Sequence, residues 1–146
     1  GAVKNVIALA CGLSDGLGLG HNARAALITR GLVEMTRLGL KLGAQQETFY
    51  GLAGIGDLVL TSTSKLSRNY QVGYQIGQGK KLEEILQGMK MVAEGISTAL
   101  SVRALAMREE IEMPICHEVY QVLYEKKSPY ESLIDLMSRT LKSEPL

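Results

Sequence analysis

Between Gly54 and Asn69 the chain reads Gly-Ile-Gly-Asp-Leu-Val-Leu-Thr-Ser-Thr-Ser-Lys-Leu-Ser-Arg-Asn, which concentrates three kinds of polar chemistry. Asp57 follows two glycines whose freedom permits a tight turn. Five hydroxyls come next, at Thr61, Ser62, Thr63, Ser64 and Ser67, then the guanidinium of Arg68 and the amide of Asn69. A planar, permanently charged fork beside hydroxyl and amide donors suits a phosphate ester, whose oxygens only accept hydrogen bonds. The same residues also read as a Ser/Thr-rich loop with a solvated arginine. Residue types alone leave both readings open.

Lys4 is the second candidate. It is the only charge in the first fourteen residues, in a segment otherwise built for burial. A lysine so placed loses hydration and its pKa tends to fall, which suits a general acid/base. A lysine snorkelling from a helix end is the plainer reading, and Lys4 taken alone favours it. Glu94, in the polar-glycine break Val92-Ala-Glu94-Gly95, either accepts bonds from a ligand hydroxyl or sits near a helix N-terminus, where the dipole favours an anion. The sequence by itself prefers the second.

These residues must be held by helices, because apolar positions recur at helical spacing through most of the chain and period-two alternation is nearly absent. Val3–Gly12 is apolar nearly all round, as in a central buried helix. Asn22 to Gly43 carries a stripe of Leu27, Gly31, Met35, Leu38 and Leu42, with Arg30, Glu34 and Lys41 set off it. Asn22 reads as its N-cap and Gly43 as its stop, while Gly31 and Gly39 suggest close helix–helix contact. Further helices are expected over Leu82–Met89, Ser97–Glu109 and Pro114 to about Tyr124. Ser128-Pro-Tyr-Glu131 is a capping box that opens a last helix to about Met137. Gly16-Leu-Gly-Leu-Gly20 lacks both the preceding strand and the spacing of a dinucleotide fingerprint, so it reads as a helix-to-helix turn flanked by capping residues Asp15 and Asn22. The expected fold is one all-α domain over residues 1–146, with no repeat or linker.

The composition narrows the function classes. The chain has 146 residues, enough for one cored domain and short for two. A net charge of +1 suggests neither a nucleic acid nor a membrane surface as partner, and Lys80-Lys81 and Lys126-Lys127 read as solvated pairs. No apolar run approaches the length of a membrane span. Cys11 and Cys116 are far apart and, with His21 and His117 isolated, no metal spacing arises; two reduced, packed thiols in the cytosol is the expected state. Tyr120, Tyr124 and Tyr130 read as core or interface residues. With no initiator Met and an apolar opening, the chain reads as part of a larger protein cut at a domain boundary.

Taken together, Gly1-Ala-Val-Lys4-Asn5, Gly20-His-Asn-Ala-Arg24-Ala-Ala-Leu27, Gly54-Ile-Gly-Asp57-Leu and Ser67-Arg68-Asn69 resemble the C-terminal domain of bacterial NAD(P)-dependent glycerol-3-phosphate dehydrogenase. The resemblance runs from Gly1 to Glu144 and includes Val92-Ala-Glu94-Gly95 and Met113-Pro114-Ile115. Small differences, at Val3 and Ser62, fall between the functional positions.

The resemblance implies an all-helical substrate domain similar to that of the 6-phosphogluconate dehydrogenase-like group. It implies a cytoplasmic homodimeric enzyme that reversibly reduces dihydroxyacetone phosphate to sn-glycerol 3-phosphate for phospholipid synthesis, using NAD or NADP. Lys4 would exchange the proton at the C2 oxygen, where hydride addition creates an alkoxide that a nearby ammonium stabilises. Asp57 would hold Lys4 and the substrate hydroxyls, and Thr61 would sit beside them. Ser67, Arg68 and Asn69 would hold the substrate, with Arg68 also near the cofactor; Val92 and Glu94 match positions bordering the cofactor. The family's nucleotide-binding half precedes the point where this chain begins, so the isolated chain is expected to lack turnover. The competing reading is a helical module that binds a phosphorylated metabolite or a partner and does no chemistry.

Overall fold

The segment that is apolar on every side becomes the central helix. In the computed structural model, which describes residues 2–43 and 52–142, α1 (Val3–Gly16) is buried without interruption from Val6 to Ser14. It is surrounded by α2 (Gly20–Lys41), α3 (Leu52–Thr63), α4 (Arg68–Gly77), α6 (Glu94–Glu109) and α7 (Pro114–Tyr124). The short α5 (Leu82–Gln87) follows α4, and α8 (Pro129–Lys142) closes against α7. Among the described residues every regular element is a helix, and none is long and apolar enough to cross a membrane. A helix wrapped on all sides needs no polar face, which is why α1 carries no polar side chain but the Cys11 thiol between Asn5 in its first turn and Ser14 in its last.

The tightest packing in the molecule is between α1 and α4. Gly12 and Gly16 on α1 face Gly73 and Gly77 on α4, four residues apart on each helix. A Cβ added at Gly73 would run into the Leu9 carbonyl and lie 2.9 Å from the Leu13 nitrogen. One added at Gly12 would meet the Tyr70 carbonyl and lie 2.8 Å from the Tyr74 nitrogen. The two backbones therefore touch directly. Gly31 makes the looser contact expected of it, against the Ile7 side chain.

Several elements depart from the sequence expectation. Leu52–Thr63 is helical, so Gly56 does not make a turn, and the loop reading of the Asp57 region survives only between Ser64 and Ser67. Two helical glycines cost about 1 kcal/mol each; burial of Leu58 against the core opposes that cost. Helix α2 begins at Gly20, with Leu19 at the cap position, so Asn22 lies exposed inside the helix and caps nothing. The Gly16–Gly20 segment is indeed a helix-to-helix turn, with Gly18 and Gly20 at φ 77° and 89°. Asp15 does not cap it. Its carboxylate takes the Arg24 guanidinium at 3.0 Å and the Tyr70 hydroxyl, which pins the turn to α4. Leu42 is exposed rather than on the core stripe, and Gly43 ends the helix at φ 96°. Helix α6 starts at Glu94 instead of Ser97, α5 stops at Gln87, and α8 runs on to Lys142, while α7 has the expected bounds. Cys11 and Cys116 are free and buried, and burial pushes the Cys11 thiol up to about 12.

Glu34 is the sharpest correction. Set off the stripe in the sequence, it is 2% exposed in the structure. Its carboxylate accepts the Ile115 N–H at 2.6 Å and the Cys116 N–H at 3.3 Å, so it caps α7 from a distant helix. Burial raises its pKa from 4.5 to about 7, against the pull of the two N–H donors. Between those values the folded state holds a proton that the unfolded chain has lost. Stability should therefore fall as pH rises from about 4.5 to about 7, by roughly 3 kcal/mol from this group. Urea unfolding across that window should show the slope, and Glu34→Gln should remove it; an unchanged slope in the variant would disprove the assignment.

Candidate active site

Lys4 emerges from the first turn of α1 and Asp57 from the middle of α3, and the two meet: Lys4 Nζ lies 2.8 Å from Asp57 Oδ2. Neither is buried, with side chains 30% and 53% exposed, so Lys4 is held by an ion pair and not by the desolvation its sequence context suggested. The Lys4 ammonium holds the Asp57 carboxyl below the usual carboxylate range, and the Thr61 hydroxyl one turn along α3 acts in the same direction. Helical period explains the selection: Asp57 and Thr61 share one face of α3, while Leu58 and Ser62, one residue on, are buried.

The remaining hydroxyls are largely engaged by nearby backbone. Thr63 donates to the Val59 carbonyl, Ser64 accepts the Leu66 N–H, and Ser62 is fully buried near Cys11. Ser67 is the N-cap of α4, its Oγ accepting the Tyr70 N–H at 3.3 Å. Asn69 is buried, and its Oδ1 accepts the Gly95 N–H at 2.7 Å. Arg68 is exposed and reaches the Met91 sulfur at 3.8 Å. At Ser67 and Asn69 the fold uses only acceptor capacity. The Ser67 hydroxyl proton, the Asn69 amide hydrogens and the Arg68 guanidinium are all donors, as an acceptor-only phosphate ester requires.

Gly95 joins the two halves of the site. A Cβ there would lie 2.7 Å from Asn69 Oδ1 and 2.9 Å from the Asn5 carbonyl, so the start of α6 is wedged between α4 and the residue next to Lys4. The sequence showed Gly95 only as a helix break; its close approach to two other helices has no local signature. Glu94 occupies the first turn of α6, where an anion suits the helix dipole, and is exposed; Val92 is 70% exposed. Their chain neighbours Met91 and Gly95 contact Arg68 and Asn69, which puts them at the rim of the site, with no described bond to the Lys4–Asp57 pair. A nicotinamide dinucleotide fits such a rim only as an edge. Arg68, Val92 and Glu94 offer one cation, one apolar contact and one acceptor, and none of them cradles a pyrophosphate.

Residues 1–134 match the family described as NAD-dependent glycerol-3-phosphate dehydrogenase C-terminus. The chain belongs to that family. The dehydrogenase resemblance seen in the motifs is therefore sound, although Gly1 and Glu144, its two ends, lie outside the described residues. Over 144 residues the chain is 64% identical to the glycerol-3-phosphate dehydrogenase (NAD(P)+) of Geobacter sulfurreducens, covering 99% of this chain and 43% of that protein. Among solved structures it matches the glycerol-3-phosphate dehydrogenase of Coxiella burnetii with a TM-score of 0.92 and 48% identity, over 95% of this chain and 43% of that one. The Saccharomyces cerevisiae glycerol-3-phosphate dehydrogenase follows at 0.84 and 32%, over 94% and 40%. The chain thus spans less than half the length of the dehydrogenases it resembles, and its all-helical fold is that of their C-terminal part.

Proposed function

We propose that this chain is the substrate-binding and proton-transferring half of a glycerol-3-phosphate dehydrogenase, which interconverts dihydroxyacetone phosphate and sn-glycerol 3-phosphate. The single observation that carries the reading is the Lys4–Asp57 ion pair, built by two helices far apart in sequence on one open face. Lys4 donates a proton to the C2 oxygen during reduction and takes it back during oxidation. Asp57 orients the ammonium, and Thr61 fixes the carboxylate. Ser67, Arg68 and Asn69 direct donors at the phosphate, while Val92 and Glu94 border the cofactor. When bound, a reduced nicotinamide, NADH or NADPH, supplies the hydride to the carbonyl carbon.

Both members of the pair are open to water, and Leu66 and Val92 beside Arg68 are exposed apolar residues. A carbonyl reduction needs that face covered, and a nucleotide-binding domain docked there would supply both the cover and the pyrophosphate grip. The reading extends to a cytoplasmic homodimer that serves phospholipid synthesis.

The test is NADH consumption with dihydroxyacetone phosphate. The isolated chain should show none, whereas the same chain joined to the nucleotide-binding half of the Geobacter sulfurreducens relative should turn over. Dihydroxyacetone without phosphate should be a poor substrate for the joined enzyme. Steady consumption by the isolated chain would show that the cofactor is gripped by residues of this domain. A joined, folded enzyme without activity would favour a non-catalytic module.

A further inference from the structure

The two lysine pairs that look unrelated in the sequence come together in space. Lys80, Lys81, Lys126 and Lys127 all line one cleft of about 780 Å³, formed where the corner between α4 and α5 faces the corner between α7 and α8. Both corners are held by the same device. After α4 the chain passes through Gly79 at φ 104°, with the Lys80 N–H bonded back to the Gln75 carbonyl. After α7 it passes through Lys126 at φ 58°, with the Lys127 N–H bonded back to the Gln121 carbonyl. These left-handed caps fix the backbone that carries each pair.

The charges are not equivalent. Lys127 is neutralised inside the fold by Glu118 and Asp135, each at 2.7 Å. Lys80 reaches only the neutral Gln75 amide, and no ion pair is described for Lys81 or Lys126. Glu83 is the only carboxylate lining the cleft. Three lysines against one lining carboxylate leave two positive charges on the concave surface, set against the one surplus negative charge of the Lys127–Glu118–Asp135 cluster behind it. Lysines after helix C-termini are favoured by the helix dipole wherever they occur. That preference accounts for each pair separately, but not for their convergence on one cleft.

We propose that this cleft binds a phosphate group. Its charge matches a phosphate monoester, and the Ser128 hydroxyl lines the same surface. It is distinct from the proposed substrate site: Arg68 opens α4 and Gly79 lies just past its other end, about 16 Å away at about 1.5 Å per residue. The phosphate belongs either to a soluble phosphorylated molecule or to the headgroup of an anionic phospholipid.

The test follows backbone amide NMR signals of the full chain as inorganic phosphate is added. The amides of Lys80, Lys81, Lys126 and Ser128 should shift saturably at about millimolar concentration. Paired substitutions Lys81→Gln and Lys126→Gln should weaken that response about tenfold, while Lys41→Gln with Lys90→Gln, the same charge change elsewhere, should not. Co-sedimentation with phosphatidylcholine vesicles, with and without phosphatidylglycerol, separates the two sources. Binding only to the anionic vesicles, lost in the cleft variant, assigns a lipid headgroup; phosphate shifts without vesicle binding assign a soluble ligand. The proposal is overturned if neither probe responds at these residues, or if the control pair weakens the response as much as the cleft pair.

Discussion

Lys4→Met in the joined, full-length enzyme should lower kcat for dihydroxyacetone phosphate reduction by about a thousandfold or more, the combined scale of a lost general acid and a lost charge at a developing alkoxide. The proton and the charge matter most after the carbonyl oxygen has become anionic, so KM should change far less than kcat. Cofactor affinity, read by nicotinamide fluorescence, should be nearly unaffected, because in the proposed mechanism Lys4 acts at the C2 oxygen and Arg68, Val92 and Glu94 border the cofactor. The melting temperature should also hold, since the Lys4–Asp57 pair is exposed on both sides. Asp57→Asn keeps an acceptor for the Lys4 ammonium and removes only its charge, so a smaller loss, on the order of tenfold to a hundredfold, is expected. Full activity in Lys4→Met would refute the assigned role, and a collapse in cofactor binding would mean that Lys4 supports the site by another route.

The chemistry of that site was legible because it is carried by residue types. A lone lysine in an apolar segment, a run of hydroxyls and an arginine beside an amide are visible without coordinates. What could not be read was which of them the fold would consume. Ser64 and Thr63 look as capable as Thr61, yet they bond the chain's own backbone, because helical period puts only Thr61 beside the Asp57 carboxylate that holds Lys4. Glu34 was misplaced for a related reason. Helical patterning assigns a carboxylate to the solvent side, and it cannot see that another helix, α7, ends its bare N–H groups against that spot. Gly54 and Gly56 suggest a turn because glycine is permissive in the unfolded chain, whereas the surrounding apolar residues are spaced for a helix. Local propensity gave way to tertiary burial. The α1–α4 contact hid in the same way: of its four glycines only Gly16 draws notice in the sequence, as part of a turn, and only the crossing of two backbones gives the spacing of all four a meaning.

That crossing sets the second large effect. Gly73→Ala should destabilise the domain by about 3 kcal/mol or more, the upper part of the range for overpacking a filled interior. In an ordinary exposed helix the same change stabilises by up to about 1 kcal/mol, because alanine is the better helix former. Here the added methyl has no free volume to enter. It meets the Leu9 carbonyl and approaches the Leu13 nitrogen, both backbone atoms of the central helix, which no rotamer change can move. Gly56→Ala provides the contrast, since a Cβ at Gly56 meets nothing within 4 Å and its backbone is helical. Urea unfolding should therefore show the two substitutions moving stability in opposite directions. If Gly73→Ala were neutral, α1 and α4 would have to be separated by more than direct backbone contact. Because α4 begins with Arg68 and Asn69, and Asn69 bonds the Gly95 that abuts Asn5, any separation of α1 from α4 should also move these proposed phosphate-binding residues away from Lys4. A milder widening of the crossing, by Gly77→Ala at the far end of α4, should then cost activity more than stability if the helix pivots, and stability alone if it does not.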